Sequence, residues 1–165
     1  MFRDFGGEVP VGIDLGTTNS CIAVWDGKEI ITIPNRIGEK TTPSVIYVHK
    51  GEFIIGEHIQ KDLNLINESE KIYSLKRIIG QDYDNKDLEE EIKNLHYNIE
   101  KDEETNKPKI KINITGKNLY SPEELCSLIL KKLVKDAQNF LGKKIKKVVI
   151  SYNFFCFFKL EYNVI

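Results

Sequence analysis

Residues 9–25 constrain the fold more than any other stretch. Val9, Val11, Ile13 and Leu15 alternate as a strand does, and one carboxylate, Asp14, stands out of phase with them. The run breaks at Gly16 into Thr17-Thr18-Asn19-Ser20, and a second β-type run follows at once over residues 21–25. Two such runs around a short polar break containing glycine predict a β-hairpin. Beyond Asp14 the turn carries backbone amides that no strand claims and two hydroxyls able to donate. Amides and hydroxyls on phosphate oxygens, with a carboxylate near a metal or its waters, suit a magnesium-bound nucleotide. On spacing alone the same residues also make an ordinary hairpin, because Thr and Ser favour turns and strand edges.

The following residues extend the β pattern. Asp26-Gly27 is a turn signal, and residues 29–33 read as a third strand stopped by Pro34-Asn35. Residues 36–44 form a polar loop in which Pro43 biases Thr42 to an extended backbone. A strand over 45–49 and another over 53–55 flank Lys50-Gly51. Five strands joined so closely predict one twisted sheet early in the chain.

From Gly56 the period changes. Ile59, Leu63 and Ile66 predict a helix, and Ile72, Leu75, Ile78 and Ile79 predict a second over residues 69–80, closed by Gly80. That second helix carries Lys76-Arg77. Adjacent charges are commonly a solvated face; the alternative is a lysine brought to a phosphate. Residues 84–95 read as an acidic helix, and strands over 97–99 and 109–114 flank a charged tip at 101–108.

A longer helix starts at Ser121, which forms a capping box with Glu124 while Pro122 takes the first helical position. Leu125, Ile129, Leu133, Ala137 and Phe140 form its core stripe, and Gly142 ends it. Lys143, Lys144, Lys146 and Lys147 suit the negative end of its dipole. Residues 148–151 read as a buried strand whose apolar edge is expected to stay unpaired. Residues 152–165 hold four of the eight phenylalanines with neither helical nor strand period.

The chain has 165 residues, 41% hydrophobic, with a formal net charge of −1. That charge gives no reason to expect nucleic acid or an anionic membrane as a partner. Cys21, Cys126 and Cys156 are odd in number and far apart, which points to reduced thiols in a cytoplasmic compartment. His49, His58 and His96 show no ligand spacing. Residues 1–8 carry one basic residue and no apolar core, so no signal or transit peptide is expected. No apolar run approaches the ~20 residues that span a bilayer, and a soluble chain is expected.

Residues 11–23, VGIDLGTTNSCIA, resemble the opening of the seventy-kilodalton heat-shock chaperones of the DnaK type. Collinear matches follow: GEKTTPSVIYV from Gly38, FIIGE from Phe53, IYSLKRIIG from Ile72, YSPEELCSLILKKLVKDAQNFLG from Tyr120 and KKVVIS from Lys146. The resemblance implies an α/β, actin-like (ribonuclease-H-like) ATPase fold, of which this chain is similar to the first lobe only, a mixed sheet with flanking helices. It divides the chain into an extension over 1–8, an incomplete nucleotide-binding lobe over 9–151 and a divergent tail over 152–165. Where the family continues with a Pro-containing segment, this chain has Tyr152-Asn153-Phe154, and the tail is expected to be aberrant, from truncation, a gene-model error or unspliced sequence.

The resemblance implies ATP or ADP with Mg2+ as cofactors. Asp14 lies near the magnesium, through water, with Gly16, Thr17, Thr18 and Asn19 on the phosphates. Lys76 is the catalytic residue at the γ-phosphate, and Arg77, grouped with the nucleotide-binding residues, is a neighbouring structural or interlobe contact. Family partners are unfolded polypeptides, J-domain cochaperones and nucleotide-exchange factors. With one wall of the cleft, nucleotide binding without turnover is expected, and whether the chain is an enzyme stays undecided, although the family hydrolyses ATP. A cytoplasmic location is expected, with an organelle left open. The competing readings are a non-catalytic interaction fragment of the same lobe and a metabolic kinase of the actin-like superfamily.

Overall fold

The computed structural model describes residues 9–56, 71–114 and 116–151, and the backbone of 158–161. These fall into two compact units, one made of residues up to Pro43 and from Leu130 onward, the other Ser44–Ile129. The first unit opens with strands β1 (Val11–Asp14), β2 (Asn19–Trp25), β3 (Ile30–Thr32) and the short β4 (Thr42–Pro43). The second holds β5 (Ile46–His49), β6 (Glu52–Ile55), β7 (Lys71–Ile72), helix α1 (Lys86–Lys93), β8 (Ile99–Asp102), β9 (Lys107–Ile114) and β10 (Lys117–Tyr120). Helix α2 (Pro122–Leu141) then leads to β11 (Lys147–Ser151) and β12 (Phe158–Glu161).

The first unit is a mixed sheet of order β12-β11-β1-β2-β3, with β4 on β2. β1 pairs antiparallel with β2 and parallel with β11, so Asp14 faces Cys21 on one side and Ser151 on the other. Side chains alternate as the period predicts: Val11, Ile13, Ile22, Val24, Val148 and Ile150 are buried, while Gly12, Asp14, Trp25 and Ser151 are exposed. Leu133 of α2 shares a crevice with Ile22 and Ile33, which places the helix on the buried face. Truncating a residue such as Ile22 there costs about 2–5 kcal/mol.

The predicted hairpin and its turns form as expected. Asp26 Oδ1 accepts the amides of Lys28 (2.7 Å) and Glu29 (2.9 Å), closing the turn at Gly27, where φ is 107°. The single early sheet does not form. β1–β4 belong to the first unit, whereas β5 and β6 join β7 in a sheet of order β6-β5-β7. Alternation marks strands without saying which of them pair; the polar loop expected here is present, closed by the Asn35 side chain over residues 35–41.

In the second unit β10-β9-β8 forms a separate sheet. Phe53 of β6 meets Tyr120 of β10 edge-on, with ring centroids 5.3 Å apart. The helix predicted over 69–80 is absent from its described part. Lys71–Ile72 pairs with β5, and only a 3-10 turn, Leu75–Arg77, follows. Ser74 at φ 56° breaks the backbone before that turn, and Gly80 at φ 77° ends the segment. The helix predicted from Gly56 lies outside the described residues.

Helix α1 forms as expected, capped by Asn85, whose side chain accepts the Asp87 amide at 3.0 Å. The predicted 97–99 strand shifts to β8, and the charged tip shrinks because Lys101 and Asp102 pair with Pro108 and Lys107. β10 has no counterpart among the expected strands: Lys117 pairs with Ile114, and Gly116 before it takes φ 93°. The α2 capping box is present, with the Ser121 amide on Glu124 Oε2 (2.8 Å) and the Glu124 amide on Ser121 Oγ (3.1 Å). Leu125, Ile129, Leu133 and Ala137 are buried, but Phe140 is 49% exposed in the last turn. The edge expected to stay open beyond Val148 is covered, since β11 pairs with β1 and with β12.

Candidate functional site

The first cluster lies at the carboxyl ends of β1 and β11, where neighbouring parallel strands of α/β sheets present ligand-binding loops. Asp14 is exposed and accepts a 2.8 Å hydrogen bond from Ser151 Oγ. The Leu15 amide reaches back to the Ser151 carbonyl at 3.4 Å, fixing where the chain leaves the sheet. Gly16 then turns so tightly that a Cβ would fall on the Asn19 carbonyl oxygen, far inside the 3.0 Å that real side chains respect. Thr17 and Thr18 form a bend that carries the chain from β1 into β2.

Asn19 and Ser20 pair with Pro43 and Thr42, which braces the return limb of this loop. Thr17 is half-buried, Thr18 and Asn19 are exposed, and Ser20 is buried. The hairpin therefore collects Asp14, Gly16, Thr17, Thr18 and Asn19 within one turn. Beside it, burial first and the Asp14 carboxylate second push the Cys21 thiol up from its usual range.

These residues fit the group that the sequence suggests. A single exposed carboxylate suits a magnesium ion, which keeps most of its own water and takes one or two carboxylates. Among the described residues no cluster of three His, Cys, Asp or Glu could form an all-protein cage. At Gly16 the turn leaves bare backbone with no room for a side chain, the kind of surface phosphate-binding turns use.

Lys76 and Arg77 belong to the second unit. Lys76 is half-buried in the 3-10 turn that follows the left-handed Ser74, and its ammonium acts on the thiol of buried Cys126. Burial first and the Glu123 carboxylate second raise that thiol to about 12, with Lys76 opposing both. Arg77 is held by Glu91 of α1 through contacts of 2.8 and 3.1 Å. The segment is anchored from behind by Tyr97, which donates to the Tyr73 carbonyl at 2.6 Å. Burial raises the Tyr97 phenol, keeping it neutral and a donor.

Two contributors escape a sequence reading. Ser151 is 137 residues from Asp14, and only the parallel pairing of β1 with β11 brings them together. Asn35, which follows Pro34, carries a turn signal but nothing to show that its side chain closes a whole loop.

A mixed sheet with the long helix on one face, and a glycine turn at the ends of its parallel strands, is the first-lobe half of an actin-like fold. The Hsp70 protein family model matches residues 10–159. The chaperone protein DnaK of Thermus thermophilus, alike in two strains, is 39% identical over 141 residues, covering 86% of this chain and 22% of the relative. The chain belongs to the Hsp70 family. It spans about a fifth of the length of these curated relatives. No helix among the described residues is long and apolar enough to cross a membrane.

Proposed function

We propose that the 14–19 turn binds the phosphates of ATP or ADP, and that this chain contributes that grip to an Hsp70-type folding chaperone. The observation that carries the reading is the Gly16 turn, where the backbone passes too close to Asn19 for any side chain. It stands beside a carboxylate at the end of a parallel strand pair. In this reading the Thr17 and Thr18 amides and hydroxyls meet phosphate oxygens, and Asp14 orients water on magnesium. Magnesium, when bound, would neutralise phosphate charge. Lys76 is assigned to the γ-phosphate, where positive charge stabilises phosphoryl transfer. Arg77, being paired with Glu91, serves to hold the Lys76 turn in place rather than to touch nucleotide.

The reading extends to the longer relatives' work: client polypeptides, J-domain cochaperones and exchange factors would act through a whole protein in a cytoplasmic setting. Calorimetry of the 165-residue chain with magnesium-ATP tests the phosphate grip. Binding that is lost in Gly16→Val, with α2 helicity intact, is the expected result. Equal heats from both proteins would contradict it.

A further inference from the structure

Asn35 is a buried polar residue whose side chain bonds to both ends of its own loop. Its Oδ1 accepts the amides of Ile37 (3.1 Å) and Glu39 (2.9 Å), and its Nδ2 donates to the Thr41 carbonyl at 2.9 Å. Its backbone adds two more ties, accepting from Gly38 (3.0 Å) and donating to Glu39 (2.8 Å). One side chain thus closes residues 35–41 at both ends. The next two residues are Thr42, only 1% exposed, and Pro43, which pair with Ser20 and Asn19. Asn35 and Thr42 also line one crevice with Cys21 of β2 and with Leu133 and Asp136 of α2, so the closed loop is wedged between the helix and the hairpin.

We propose that Asn35 is a positioning residue for the phosphate turn. By fixing the Thr41 carbonyl it sets Thr42–Pro43 against the return limb at Asn19-Ser20, and so holds Thr17 and Thr18 in shape before ligand arrives. The proposal rests on the phosphate reading for its consequence, but the mechanical link is independent of it. The two halves of the amide have separable tasks. The oxygen makes the turn at 37–39, whereas the NH2 alone reaches Thr41 and through it the hairpin. Asn35→Asp keeps the acceptor and replaces the donor with an oxygen that repels the Thr41 carbonyl. When that carboxyl is protonated it regains a donor.

The test is segment-resolved hydrogen exchange on the full 165-residue chain without nucleotide, followed by magnesium-ATP calorimetry. In Asn35→Asp at neutral pH, peptides covering 15–22 and 40–43 should exchange about tenfold faster than wild type, with α1 and α2 unchanged. Magnesium-ATP affinity should fall by a similar factor. The excess exchange, relative to wild type at the same pH, should shrink as the carboxyl protonates, and Asn35→Ala should show it at every pH. Faster exchange confined to 35–39 would overturn the proposal, and so would loss of protection throughout the chain in both variants. If exchange spreads to 15–22 but wild type binds no magnesium-ATP, the mechanical link stands and the phosphate reading fails.

Discussion

Ser151 Oγ donates to Asp14 Oδ1 at 2.8 Å, tying together the carboxyl ends of two parallel strands. The bond occupies one carboxylate oxygen and aims the group out of the sheet. Ser151→Ala should therefore cost no more than about 1 kcal/mol of stability while lowering magnesium-nucleotide affinity about fivefold. Asp14→Ala should remove the magnesium dependence of binding altogether. Paired chemical melts and titrations with and without magnesium check both. A Ser151→Ala protein that loses stability but not affinity would show the bond to be structural only.

Gly16 is the position where the turn tolerates least. An added Cβ meets backbone, the Asn19 carbonyl, so no side-chain rotation relieves it. Gly16→Ala is expected to cost about 1–3 kcal/mol and to open the hairpin end, as overpacking does elsewhere. Gly12→Ala is the control: a Cβ there meets nothing within 4 Å. Thermal melts of the two variants should separate clearly, with Gly12→Ala close to wild type.

The start of α2 makes a prediction about acid. A hydrogen bond from Lys117 first, and the Ser121 amide second, hold the Glu124 carboxyl below its ordinary value of 4.5. A carboxylate depressed in the folded state stabilises the fold above its unfolded value, and that contribution vanishes as pH falls through the folded one. Wild type should lose melting temperature below about pH 4.5 more steeply than Glu124→Gln. Ser121→Ala should cost about 1 kcal/mol at neutral pH through the lost cap. Melting curves between about pH 3 and 6 test the first expectation.

Cys126 should be silent toward thiol reagents in the folded chain. It is 4% exposed, and burial pushes its thiol up to about 12, so almost no thiolate is present at about pH 8. Peptide mapping after iodoacetamide should find Cys126 alkylated only once denaturant is added. Labelling of Cys126 under native conditions would mean that the second unit opens around α2.

How far these features could be read in advance depends on what each rests on. The hairpin, α1 and the capped start of α2 follow from local chemistry: alternation, an Asn or Ser cap, and glycine turns. The 71–80 segment defeats a periodic reading because Ile72, Leu75 and Ile78 are buried by different means, one in a strand and the others around a 3-10 turn. Apolar spacing near helical period arose without a helix. Phe140 fits the stripe by number yet lies exposed, since periodicity does not reveal where the sheet beneath the helix ends. Within the candidate site the turn residues were legible, whereas Ser151 depended on a long-range parallel register that no local pattern encodes.

The central claim is that backbone at Gly16, Thr17 and Thr18 receives nucleotide phosphate. Amide-resolved NMR of the 165-residue chain, titrated in turn with magnesium-ATP, magnesium-ADP and adenosine, addresses it directly. The account predicts that the amides of residues 16–19 shift with both nucleotides and stay still with adenosine. Shifts that follow adenosine, or a 16–19 turn unmoved while distant amides respond, would contradict it.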